Sequence, residues 1–167
     1  MMILSATLLT FNRSNYGQIA LFQARDVFTS AVNQAKTLAV EKFSQNVDAC
    51  AFGVYIKGTD NPPREFVLFQ TLKLDPAQDC VLSDGSYNFA TDFNAPGANV
   101  LAIQNFSLDS RLRFSNPPSG GESITFVPPD LTTLSTVPLP ATTVIETLDG
   151  TLSTSISVEA GGQIVSH

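Results

Sequence analysis

The sequence predicts an α+β protein, one long N-terminal helix packed on an antiparallel β-sheet domain. Three observations carry this expectation. From Gln18 to about Ser44, apolar residues recur at three- and four-residue steps with no Gly or Pro among them, which is the period of a helix face. After residue 47 the chain changes to short runs of β-branched and aromatic residues bounded by Gly, Pro, Asn and Asp, the pattern of strands and turns. The order, one helix and then about seven strands with no repeat period, is that of the α+β class. A chain of 167 residues corresponds to one domain and buries enough surface to fold without metal or disulfide. The division expected is 1–47 for the helix and 48–167 for the β domain.

The elements follow in order. Residues 1–11, MMILSATLLTF, carry no charge. They are too few to cross a bilayer, which takes ~20 apolar residues, and they lack the basic region and cleavage site of a signal peptide. Two readings stay open: a buried first element, or the tail of a membrane helix. Asn12–Gly17 is a run of poor helix formers and is expected to break or loosen the helix. The stripe that follows is Leu21, Ala24, Phe28, Ala31, Ala35, Leu38 and Phe43, widened by Val27, Val32 and Ala39. Such a stripe must pack at least partly on its own sheet, and its alanines would let another backbone approach closely.

Strands are expected at Ala51–Lys57 and Glu65–Gln70, joined by a hairpin loop over Gly58–Arg64. Val100–Leu108, Arg111–Phe114 and Ser123–Val127 follow, with Leu112, Phe114, Ile124 and Phe126 facing inward by alternation. Pro128-Pro129 ends that strand, and Pro138 and Pro140 keep the next segment out of central pairing. Thr143–Leu148 and Thr151–Val158 form a hairpin about Asp149-Gly150, and Gln163–Ser166 closes the chain after Ala160-Gly161-Gly162.

Composition narrows the function. Hydrophobic residues make up 43% and charged residues 14%, with a net charge of −6; this excludes intrinsic disorder. The charge is split: residues 1–73 hold seven basic and five acidic side chains, residues 74–167 two basic and ten acidic. Lys57, Arg64, Lys73, Arg111 and Arg113 are too few against that acidic remainder for nucleic acid to be an expected partner. No Lys or Arg follows Arg113, and the stretch is rich in Ser and Thr instead, a way of wetting a β surface without charge that points outside the cytosol.

Catalytic and cofactor signals are missing. The single His is the last residue, His167, too mobile an end for a Ser or Cys nucleophile's base. There is no phosphate-cradling glycine motif, and a sugar cleft without Trp would be unusual. An enzyme, a cofactor and a small-molecule substrate are therefore not expected. Asp75, Asp79 and Asp84 have the oxygen chemistry to hold calcium, but their spacing matches no EF-hand and acidic loops are ordinarily solvated, so no metal is expected. Cys50 and Cys80 are the whole thiol supply, either buried thiols or one disulfide; a bond between them suits an extracytoplasmic location.

Several segments also resemble one family. The helix FQARDVFTSAVNQAKTLAVE, then CAFGVYI, then EFVLFQTL, resembles bacterial type IV pilin-like proteins, nearest to minor pilins and the H-type minor pseudopilins of type II secretion. SITFVPPD resembles the family's I-x-F-x-P strand ending, and ISVEAGGQIVS its closing hairpin. The likeness runs from about Gly17 to Ser166. It implies a structural subunit of a pilus or pseudopilus, with other such subunits as partners and the helix stripe Leu21, Ala24, Phe28, Ala31, Ala35 and Leu38 as assembly face. It further implies a β domain at the cell surface or periplasmic face, held by a membrane helix of which residues 1–11 are the end. The family's Gly-Phe cleavage site, its Glu and its ~20 apolar residues are not in this sequence and are expected upstream. The alternative is a secreted extracytoplasmic binding or adhesin module.

Overall fold

A computed structural model describes residues 2–44, 49–72, 100–115, 117–118 and 120–167, with the helix side chains described over 16–42. The helix α1, Met2–Ser44, is followed by nine strands among the described residues. These are β1 (Ala49–Ile56), β2 (Glu65–Leu72), β3 (Val100–Ser107), β4 (Leu112–Phe114), β5 (Glu122–Val127), β6 (Thr132–Ser135), β7 (Ala141–Thr147), β8 (Ser153–Val158) and β9 (Ile164–Ser166). Every pairing is antiparallel. They form two sheets, ordered β3-β2-β1-β5-β6 and β4-β7-β8-β9, and α1 lies against strands of both. The α+β class is therefore observed, with two sheets in place of a single one.

The helix runs on through Asn12–Gly17 without the expected break. Each poor former there costs only ~0.5–1 kcal/mol relative to Ala, and none is proline, so the hydrogen-bond ladder can continue.

The main core lies where the helix meets both sheets. Leu21, Ala24, Phe28, Ala31, Val32, Ala35 and Ala39 pack into one cluster with Phe52, Val54 and Ile56 of β1 and Phe66 and Leu68 of β2. Ile124 and Phe126 of β5 and Leu112 and Phe114 of β4 join it, as do Ile145, Ile156 and Val158 of the second sheet. The strand members fall two apart, as the pleat requires. Phe28 is the junction: its ring meets Phe66 at 5.2 Å and Phe114 at 5.8 Å, both edge-on. Phe66 belongs to the first sheet and Phe114 to the second, so one helix residue ties the two.

The central strand β1 is buried at all eight positions. Gly53 makes this possible. A Cβ there would fall 2.5 Å from the Ile124 carbonyl oxygen and 2.7 Å from the Phe69 ring, so the ring of its register partner Phe69 covers the bare backbone. Phe69 groups with Tyr55, Val67 and Val100 in a second, smaller cluster.

Two connections differ from the sequence expectation. The loop after β4 leads from the second sheet to the first, so β4 pairs with β7 and β5 with β1. A short strand, β6, lies between the proline pairs and pairs with β5 at the sheet's edge, where proline flanks are tolerated. The hairpin β7–β8 turns at Asp149-Gly150 as expected, with Gly150 at φ 69°. Its Asp149 Oδ1 accepts hydrogen bonds from Thr147 Oγ1 at 2.6 Å and from the Thr151 hydroxyl and amide at 2.8 and 3.1 Å.

Candidate assembly surface

The stripe assigned above to assembly is the one the chain uses on itself. Leu21, Ala24, Phe28, Ala31 and Ala35 are buried against the chain's own strands, and Leu38 is partly buried against the same cluster. The physical reason is the second sheet: a helix lying against strands of two sheets has most of its Ala and Phe face covered. In the folded chain these residues serve its own packing, Leu38 less completely than the other five.

A different part of α1 stays apolar and open. Tyr16, Ile19 and Phe22 are 56%, 53% and 55% exposed, one helical turn apart and so in neighbouring positions on the surface. Removing each from water would contribute on the order of 1–2 kcal/mol. The Arg25 guanidinium lies over the Phe22 ring at 5.1 Å and bonds Asp26 at 3.1 Å, capping the patch with a charge pair. Beyond it the exposed positions are mixed: Asp26, Ser30, Asn33 and Thr37 are polar, and Val27 and Val40 are exposed apolar residues. Toward the N-terminus the helix continues over Met2–Asn15, about 20 Å at 1.5 Å per residue. At Gly17 the β domain comes close: Leu152 and Thr147, flanking the β7–β8 turn, sit 3.4 and 3.7 Å from where its Cβ would be. At the other end Lys36 Nζ donates to the Gly162 carbonyl at 3.0 Å, binding helix to the β8–β9 turn.

The remaining sequence candidates sort as follows. Cys50, on β1, is disulfide-bonded; the chain's one other cysteine, Cys80, lies outside the described residues, as do Asp75, Asp79, Asp84 and Lys73. Among the described residues no group of three or more His, Cys, Asp or Glu is placed to hold a metal. The basic side chains considered for nucleic acid are largely neutralised: Lys57 pairs with Glu65, Arg111 with Asp109 and Arg113 with Glu146. Hydrogen bonds from the Arg111 side chain and amide hold the Asp109 carboxyl down at about 2. A cleft of about 290 Å³ beside the β1–β2 loop is lined by Gly58, Asn61, Pro62, Pro63, Arg113, Phe114 and Pro117, a set with no nucleophile or carboxylate.

One buried polar group had no sequence signal. Glu122 opens β5 after two glycines, a position that reads as solvated, yet it is only 6% exposed. It lies between the sheets, where the Thr143 hydroxyl of β7 donates to its Oε1 at 3.1 Å. Burial raises its pKa above the usual carboxyl range, opposed by that hydrogen bond. The open patch Tyr16, Ile19 and Phe22 did leave a signal, because these residues fall off the Ala and Phe stripe.

No family model matches the chain, and neither a curated protein nor a solved structure matches it. What fold and surface define is a class: an α+β protein whose N-terminal helix is clamped by two antiparallel sheets and exposes an apolar patch at the start of the clamped part. Among the described residues no helix is long and apolar enough to cross a membrane.

Proposed function

We propose that the chain is a structural subunit of a type IV pilus or a type II secretion pseudopilus, of the minor pilin or minor pseudopilin kind. The single observation that supports this most is the exposed patch Tyr16, Ile19 and Phe22 on a helix that begins well before it, at Met2. A helix needed only for its own domain's core would keep its apolar residues on the clamped face. In this reading the helix carries assembly through its open side, while Leu21, Ala24, Phe28, Ala31 and Ala35 lock it to the β domain. The mechanism is packing: subunits associate by removing the patch from water. In this reading the β domain stands at the cell surface or periplasmic face, anchored by a membrane helix of which residues 1–11 are the end.

Cysteine cross-linking in cells that make the full-length gene product tests this. Ile19→Cys or Phe22→Cys is expected to cross-link to other filament subunits, while Asp130→Cys on the distant β5–β6 turn is not. Cross-links from Asp130→Cys alone, or none from the helix positions, would overturn it.

A further inference from the structure

Among the described residues Glu122 is the one charged side chain that is buried. It opens β5 directly after the crossover from the second sheet to the first, and that crossover is fastened to β7 at two neighbouring residues. Where the chain leaves β4, the Ser115 amide donates to the Val144 carbonyl at 2.8 Å. Where it enters β5, the Glu122 carboxyl accepts from the Thr143 hydroxyl at 3.1 Å. Glu122 and Thr143 are only 6% and 3% exposed, so this side-chain bond between the two sheets is held away from water.

No charged group faces the carboxyl. On β1 its register partner is Ile56, and Tyr55 and Lys57 on either side of Ile56 fall on the opposite face by alternation. On β7, Glu146 lies on the other face from Thr143 and pairs with Arg113 of β4. β6 and β8 carry no titratable side chain. On α1, Arg25 and Asp26 pair with each other, Lys36 is held at Gly162 beside Phe126, the far end of β5, and Glu41 and Lys42 lie beyond it. An ionised carboxyl in this seam would have one hydroxyl donor in place of water, which suits the neutral acid and not the carboxylate. Burial accordingly raises its pKa, opposed only by Thr143.

We propose that Glu122 is a pH-sensitive latch on the seam between β5 and β7: neutral, it holds the start of β5 on Thr143, and ionised, it leaves for water and the seam opens locally. Its closing contribution is complete below the ordinary carboxyl range and is lost as pH rises through the folded value. The Phe28 junction ties α1 to both sheets through aromatic rings alone, so the seam can open while the helix stays clamped.

Hydrogen exchange of the full chain from about pH 4 to 8, corrected for the intrinsic rate, is the test, with the Glu122 carboxyl carbon followed by NMR. The Glu122 carboxyl is expected to titrate above the ordinary range. In that same window the amides of Glu122–Ile124 and Thr143–Ile145 should lose protection several-fold, while those of Ala24–Ala39 should not. Glu122→Gln keeps an acceptor for Thr143 and cannot ionise, so the pH dependence at the seam is expected to vanish. Thr143→Val removes the bond that lowers the Glu122 pKa, so the window should move to higher pH, a shift that a purely structural contact would not give. Titration of Glu122 within the ordinary carboxyl range, an unchanged pH dependence in Glu122→Gln, an unmoved window in Thr143→Val, or helix amides losing protection together with the seam would each overturn the proposal.

Discussion

Truncating Phe28 to Ala tests the clamp directly. The side chain is fully buried, and its ring touches Phe66 of the first sheet and Phe114 of the second, which themselves meet at 5.9 Å and 89°. Phe66 is further stacked on Phe106 at 4.7 Å. Phe→Ala in a core costs about 3–5 kcal/mol, and the amount depends on how well the site can collapse. Here the surrounding rings belong to a helix and two separate sheets, so closing the hole would require all three to shift together. The expected loss is therefore at the upper end, about 4–5 kcal/mol. For a chain of this size that lowers the melting temperature by about 10–15 °C. Phe28→Leu, which refills most of the volume, is expected to cost less than about 1.5 kcal/mol. Urea unfolding of the three proteins reads these values from the midpoints, provided the slopes agree. A loss below about 1 kcal/mol for Phe28→Ala, or an equal loss from Phe22→Ala on the open side, would refute the reasoning.

Other outcomes follow from the same packing. Glu122 has a raised pKa in the folded chain, so its contribution to stability is complete below the ordinary carboxyl range and is lost as pH rises through the folded value. Thermal melts should therefore show stability falling on the alkaline side of that range, and Glu122→Gln should flatten the fall; an unchanged profile in the variant would remove Glu122 as its cause. Asp109 and Asp149 act oppositely, each held down at about 2 by hydrogen bonds, so their contribution is present above the ordinary value and disappears as pH drops through about 2. Gly53→Ala is expected to cost about 1–3 kcal/mol by overpacking, since its Cβ meets the Ile124 carbonyl and the Phe69 ring; a neutral result in urea unfolding would show that the ring does not cover this backbone. Thiol titration of the unfolded, unreduced chain should find none free at Cys50, and one titrating equivalent at that residue would contradict the bond.

Local periodicity carried the helix and most strands into view, because the Ala and Phe stripe and the alternation in Leu112-Arg113-Phe114 and Ile124-Thr125-Phe126 report burial directly. Less was visible where two partners compete for one surface. The stripe shows that one helix face is covered, but a second sheet or a neighbouring subunit would leave the same pattern in the sequence, and only the fold places Phe114 and Ile156 against it. The change of sheet between β4 and β5 has no local signature, since a loop of Asn, Pro, Ser and Gly suits a hairpin equally well. β6 was hidden because its four residues sit between prolines, and an edge position relaxes the rule that prolines oppose pairing. Glu122 was hidden for a related reason: its burial comes from β7, which is far along the chain. Of the candidate site, the open patch was present in the sequence as residues that do not fit the stripe.

The central claim, a subunit anchored and assembled through its N-terminal helix, meets its most direct test in the mass and N-terminal residue of the protein extracted from native membranes. The account predicts an N-terminal methylated Phe followed by an apolar helix leading into Tyr16, Ile19 and Phe22. A soluble protein released behind a plain signal peptide, with no apolar helix ahead of the clamped segment, would contradict it.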